Sequence, residues 1–179
     1  CIVPDLSGAA RGKIMPASKY TDGHELRLPR TIFLQSVTGG YPSLAEKISP
    51  ADTGMYLQPD ESTIRLIPWV EQKSAQVIHD CVDENGKPIE FAPRHVLRKV
   101  LDLYEAEGWK PIIAPELEFF IVEPNTDPTQ PLRPPIGKNG RTEIEGQSYS
   151  IDAVNEFSAI FADMNAFSKA QKLELDTLI

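Results

Sequence analysis

Cysteine is nearly absent. The 179-residue chain holds two, Cys1 and Cys81, with no CxxC pair and no Cys/His spacing of the zinc type. That excludes a disulfide framework, and both residues read as plain buried or half-buried thiols, in keeping with a reducing, cytoplasmic setting. Long apolar runs are lacking too. No stretch approaches the roughly 18 residues that span a bilayer, and no signal-peptide pattern is present, so no membrane role is expected. Positive charge is in deficit: 18 Lys and Arg against 26 Asp and Glu give a net charge of -8. This speaks against a general nucleic-acid or anionic-membrane surface and suits a protein that binds cations. Histidine is scarce, and His24, His79 and His95 share no spacing with one another, so each reads as a structural or surface residue. There is no Gly-x-Ser-x-Gly elbow and no GxxxxGK[ST] phosphate loop.

What is present is an ordinary globular mix, 41% hydrophobic and 25% charged, long enough to bury a core without staples. The chain opens inside an apolar run, "CIVPDLSG", without an initiator Met, and stops abruptly at "LELDTLI". It is therefore expected to be a fragment of a longer protein.

The pattern along the chain predicts an α+β fold. The "LSG" turn signal between Val3 and "KIM" suggests a hairpin. Residues 21–60 are rich in Gly, Pro, Ser and Thr and read as functional loop or disorder. "STIRLIPW" reads as a short strand, and Val77, His79 and Cys81 alternate with Ile78, Asp80 and Val82 at strand period. Asn85-Gly86 is a strong hairpin signal. Residues 1–90 thus read as a small strand-rich domain, with a boundary near 88–93. From 91 onward the composition changes. Val96, Leu97, Val100, Leu101 and Tyr104 form a helical stripe, started by Pro93 and stopped by Gly108. Residues 111–122 read as a strand and 124–141 as a Pro/Gly-rich connector. "GKNGR" within it reads as a turn. A long helix over about 151–172 carries Val154, Phe157, Ile160, Phe161, Met164 and Phe167 on one stripe, with Ser150 as its N-cap.

The stretch "IIAPELEFFIVEP" carries the chemistry. In a strand, Glu116 and Glu118 share one face with Ala114, Phe120 and Val122, while Leu117, Phe119 and Ile121 lie on the other. With apolar side chains on both faces, the strand is expected to be covered on both. Ionised carboxylates there cost several kcal/mol each unless paired, and two like charges side by side add to the cost. A hard divalent cation such as Mg²⁺ cancels it directly. The alternative is that the glutamates face solvent at a sheet edge or pair with Arg or Lys. A lone Glu-x-Glu does not decide between the two.

The motifs taken in order resemble those of the glutamine synthetase family. "PELEFFIVE" is similar to its Glu-x-Glu strand, and "PDLSGAARGKIMP" to its D-x-x-G-x-x-R-G-K-x-x-P hairpin. "PDESTIRLIPW" resembles its PD-x-S-T segment. "GQSYSIDAVNEFSAIFADM" resembles the following helix in the form seen in the gamma-glutamylpolyamine (gamma-glutamylputrescine) synthetase branch. The resemblance spans essentially the whole chain.

The resemblance implies a β-grasp-like N-terminal domain, residues 1–90, followed by the start of an α/β catalytic domain, residues 91–179. It implies an enzyme that uses ATP and Mg²⁺ (or Mn²⁺) to phosphorylate the side chain of glutamate, after which an amine or ammonia attacks to give a γ-glutamyl amide. Glu116 would ligate the ion beside the ATP phosphates and Glu118 the ion nearer glutamate, which agrees with the cation requirement of phosphoryl transfer. A homo-oligomeric ring with active sites between subunits is implied as well. One departure concerns the substrate. Where ammonia-using members carry an Asp-Gly-Ser-Ser loop, this chain has "FLQSVTGGYPS", without an aspartate, which favours a larger primary amine. Asp52 lies nearby in sequence without a confident alignment. The alternatives are a catalytically inert scaffold relative and a simple acidic metal-binding module.

Overall fold

A computed structural model describes residues 1–43, 51, 53–144 and 147–177. The chain divides into two compact units, Cys1–Leu66 with Lys73–Ile112, and Ile67–Gln72 with Ile113–Ile179. The observed class is α+β, as expected.

The first unit is built on a five-stranded mixed sheet in the order β2-β1-β5-β4-β3. β1 (Ile2–Pro4) and β2 (Ala10–Gly12) form the expected hairpin, with Val3 opposite Arg11. The turn between them needs Gly8, whose φ is +81°, a conformation costly for other residues. Gly12 is required for a different reason. A Cβ there would lie 1.9 Å from the Cys1 carbonyl oxygen, so only glycine lets the two backbones approach. A short helix α1 (Ala17–Thr21), β3 (Arg27–Pro29) and a 3₁₀ turn (Arg30–Leu34) follow. Part of the 21–60 region read as loop is thus ordered structure, and Phe33 in the 3₁₀ turn is 1% exposed.

β4 (Gly54–Leu66) is longer than the strand expected from "STIRLIPW", and it pairs antiparallel with β5 (Ala75–Val82) across an irregularity between Asp60 and Arg65. On β5 the alternation holds from Val77 to Cys81, with Val77, His79 and Cys81 buried, and ends at Val82, which is buried as well. A turn at 83–87 closes with Gly86 at φ +77° and the Asp83 carboxylate accepting the N–H groups of Asn85 and Lys87. The core gathers Val3, Leu28, Phe33, Met55, Leu57, Cys81, Ile89 and Ala92. Phe33 packs edge-on against Phe91 at 5.8 Å between centroids. Burying one such side chain contributes about 1.5–3 kcal/mol.

Helix α2 (Pro93–Ala106) begins with proline in its first turn and stops before Gly108 at φ +73°. Its apolar stripe does not pack as amphipathicity predicts. Val96, Leu97, Val100, Leu101 and Tyr104 are all exposed, and no residue of α2 is buried. What fixes its first turns is charge, as described below.

In the second unit, the expected single helix is two, α3 (Ile151–Glu156) and α4 (Ser158–Ala170), broken at Phe157 with φ -112° and ψ 25°. Ser150 caps α3 as expected, accepting the Ala153 N–H at 3.2 Å. Val154, Phe157, Phe161, Met164 and Phe167 are half-buried, and Phe167 meets Trp69 at 5.8 Å. The "GKNGR" segment is a turn, as read: Gly137 N–H donates to the Arg141 carbonyl and Ile136 bridges Thr142.

Residues 111–122 differ most from expectation. They form no strand among the described residues, and both faces are open: Ile112 is 94%, Leu117 88% and Phe120 95% exposed. The reason lies in pairing. A strand exists by the ladder it joins, and an isolated one has nothing to offset its ordering cost. Pro111 and Pro115 also remove two donors.

Candidate functional site

Glu116 and Glu118 stand on this unpaired stretch, and both side chains are exposed. The expected desolvation of the pair is therefore not a property of the described chain. Among the described residues, no group of three or more His, Cys, Asp or Glu is placed to hold a metal ion. The two carboxylates offer the hard oxygen donors that Mg²⁺ or Mn²⁺ takes. Among the described residues they stand as two exposed carboxylates and do not by themselves make a metal site.

The histidines are not gathered at these glutamates. His24 is exposed and His95 half-buried. His79 is 2% exposed, with Nδ1 at 3.2 Å from the Val77 carbonyl oxygen. Burial pushes its pKa below the ordinary value of 6.5, which favours the neutral ring.

The hairpin motif has a physical explanation. Asp5 is 2% exposed. Its Oδ1 accepts the Ser7 N–H at 2.9 Å, the Ser7 hydroxyl at 2.8 Å and the Ala9 N–H at 2.9 Å, while Oδ2 accepts Arg11 Nε at 2.7 Å. Burial alone would raise its pKa. The hydrogen bonds from Arg11, Ser7 and the Ala9 backbone outweigh burial and hold it below the ordinary 3.8. One buried carboxylate thus organises the turn, with Gly8 and Arg11 at the offsets its geometry uses.

Asp60 of the "PDEST" segment is also structural. It accepts the Ser62 hydroxyl at 2.6 Å and Arg94 Nη2 at 2.5 Å. Thr63 Oγ1 donates to the Asp60 carbonyl at 2.7 Å and accepts the Ile78 N–H at 2.8 Å. Arg94 Nε reaches Asp80 at 2.9 Å, and Arg98 reaches the same carboxylate at 2.7 Å. This four-residue network ties α2 to β4 and β5. Reading the sequence did not find it. Arg94 and Arg98 occupy one helix face, but nothing in their spacing points to partners 14 and 34 residues away.

The loop after the 3₁₀ turn is closed on itself. The Ser36 N–H donates to the Gly40 carbonyl at 2.8 Å, the Gly39 N–H to the Ser36 carbonyl at 3.0 Å, and the Gly40 N–H to Ser36 Oγ at 3.1 Å. Gln35 Nε2 adds a bond to the Gly39 carbonyl at 2.9 Å. The segment from Gln35 to Ser43 contains no carboxylate. Asp52 lies outside the described residues.

On an α+β fold the chain thus carries, in order, the Asp5 hairpin, the Asp60 segment and the Glu-x-Glu stretch, a combination that points to one family. Comparison with known proteins makes this specific. Residues 90–179 match the family described as "Glutamine synthetase, catalytic domain", and the chain belongs to the glutamine synthetase family. It is 26% identical over 185 residues to "Gamma-glutamylputrescine synthetase PuuA" of Escherichia coli (strain K12), covering 98% of this chain and 38% of that protein. It is 30% identical over 123 residues to "Glutamine synthetase" of Rhizobium meliloti (strain 1021), covering 68% of this chain and 25% of that protein. With "Glutamate--isopropylamine ligase" of Pseudomonas sp it shares 37% over 83 residues, covering 46% of this chain and 16% of that protein. The chain thus spans well under half the length of these curated relatives. Among the described residues, no helix is long and apolar enough to cross a membrane.

Proposed function

We propose that the protein carrying this chain is an ATP-dependent ligase that joins the side-chain carboxylate of glutamate to a primary amine through a γ-glutamyl phosphate. The observation that carries this reading is the retention of both Glu116 and Glu118 in "PELEFF", inside the segment that matches the family's catalytic domain. Divalent ions, when bound, neutralise the charge that phosphoryl transfer places on the phosphate oxygens. Glu116 would hold the ion on the ATP side, and Glu118 the ion on the glutamate side. Both carboxylates are open to solvent and so accessible to a cation. The five-stranded sheet would be the β-grasp-like N-terminal domain. The working form would be a homo-oligomeric ring in the cytoplasm, with sites between subunits.

An amine larger than ammonia is favoured by the carboxylate-free loop at 35–43. A fixed carboxylate would stabilise a small ammonium ion, and none is available there. Similarity to a gamma-glutamylputrescine synthetase over nearly the whole chain and to a glutamate–isopropylamine ligase over part of it supports the same preference. An inert scaffold would have no reason to keep both glutamates. The test is ADP release by the enzyme with Mg²⁺, ATP, glutamate and a panel of amines. Release that depends on an alkylamine or polyamine is expected. Absence of release with every amine, ammonia included, sinks the reading.

A further inference from the structure

We infer that Arg11 is a positioning residue that fixes the Gln35–Gly40 loop to the β1–β2 hairpin. The guanidinium has two jobs at once. Nε is committed to the buried Asp5 carboxylate at 2.7 Å, and Nη2 reaches the Ser36 carbonyl at 3.4 Å. That carbonyl is also the acceptor for the Gly39 N–H, and Ser36 Oγ takes the Gly40 N–H. Ser36 is therefore the centre of the loop's internal bonding and the residue whose carbonyl Arg11 reaches. A second tie, from the Leu6 N–H to the Phe33 carbonyl at 3.3 Å, anchors the 3₁₀ turn rather than the loop. Beyond Ser36 the loop projects: Val37 is 80% exposed and Gly39 sits at φ +86°. Little packing holds it, so its order depends on the internal bonds and on the Arg11 arm.

The residue type matters. Arginine presents several N–H groups in a rigid planar fork and can hold a carboxylate and a carbonyl together, whereas a lysine ammonium acts as a point charge on a flexible stem. Arg11→Lys can keep the Asp5 pairing while losing the fixed arm to Ser36. Arg11→Ala loses both and leaves Asp5 buried without its cation. The consequence for catalysis rests on the function proposed above: if the loop faces the amine, loosening it raises KM for the amine with little change in kcat.

The test is amide hydrogen exchange of the full-length protein as wild type, Arg11→Lys and Arg11→Ala, with KM and kcat for the amine measured on the same proteins. A raised KM at unchanged kcat in Arg11→Lys is expected, and an unchanged KM overturns the positioning role. Exchange at Gly39 and Gly40 is expected to quicken by about twofold to threefold in Arg11→Lys, the low end for one hydrogen bond because the Ser36 contact is 3.4 Å long and exposed, with Ser7 and Ala9 unchanged. In Arg11→Ala both groups quicken. Unaltered exchange at Gly39 and Gly40 in Arg11→Lys overturns the inference. So does an equal acceleration of loop and hairpin in that variant, since the loop would then follow the hairpin's fold and not the arm. If Arg11→Ala does not fold, Arg11→Lys decides alone. A wild type that releases no ADP with any amine defeats the ligase reading and leaves the exchange result standing.

Discussion

Arg94 Nε donates to Asp80 Oδ1 at 2.9 Å, and through that contact the first turn of α2 is tied to the middle of the sheet. The same guanidinium reaches Asp60 on the neighbouring strand, and Arg98 takes the second oxygen of Asp80. Since no residue of α2 is buried, these charges do what an apolar face does for most amphipathic helices.

Arg94→Ala is therefore expected to lower stability by about 1 kcal/mol, allowing for solvent screening of groups that remain partly open to water. The loss should shrink in about 1 M salt, where charges are screened within about 3 Å. Urea unfolding of both proteins at low and high salt measures it. Equal midpoints at low salt would show that the helix is held by something else.

Asp5 links stability to acid. Its folded pKa lies below the ordinary 3.8, so the ionised carboxylate contributes in full above that value, and the contribution is lost as pH falls through the folded pKa. Asp5→Asn should cost about 2–3 kcal/mol at neutral pH, because a buried acceptor of four hydrogen bonds loses its charge. It should also flatten the acid limb below pH 3.8. Stability curves between neutral pH and acid check both effects.

Cys81 should be chemically silent in the folded protein. Burial pushes its thiol up to about 12, with Asp80 adding to the rise, and the thiolate is the reactive form. Under native conditions an alkylating reagent near pH 8 is expected to modify the half-buried Cys1 and spare Cys81, and to modify both once the chain is unfolded. Mass spectrometry of the labelled protein reads this directly. Rapid native labelling of Cys81 would mean that the β5 face opens readily.

Much of this was legible in the sequence where the signal is local. The period of two on β5, the Asp-x-x-Gly-x-x-Arg turn, Ser150 as a cap and the "GKNGR" turn each depend on residues a few positions apart. What was not legible depends on distant partners. The stripe of α2 predicted a helix correctly, but amphipathicity does not say what covers it, and here it is exposed. The break at Phe157 interrupts an apolar period that continues on both sides, so no pattern marks it. For residues 111–122, composition describes a strand, yet pairing is a property of a second segment. Glu116 and Glu118 were readable as a pair of hard donors only, and the described residues bring no further carboxylate or histidine to them.

The central claim is that these two glutamates serve divalent ions in a glutamate–amine ligase. The most direct measurement is Mg²⁺-dependent ADP release by the enzyme as wild type, Glu116→Gln and Glu118→Gln, with glutamate and the best amine of a panel, alongside thermal unfolding of each. Both side chains are exposed, so stability should change by less than about 0.5 kcal/mol. Turnover should fall by at least about 100-fold, as removal of a charged group that stabilises the transition state does. Substitutions that leave turnover and its Mg²⁺ dependence at the wild-type level would contradict the claim.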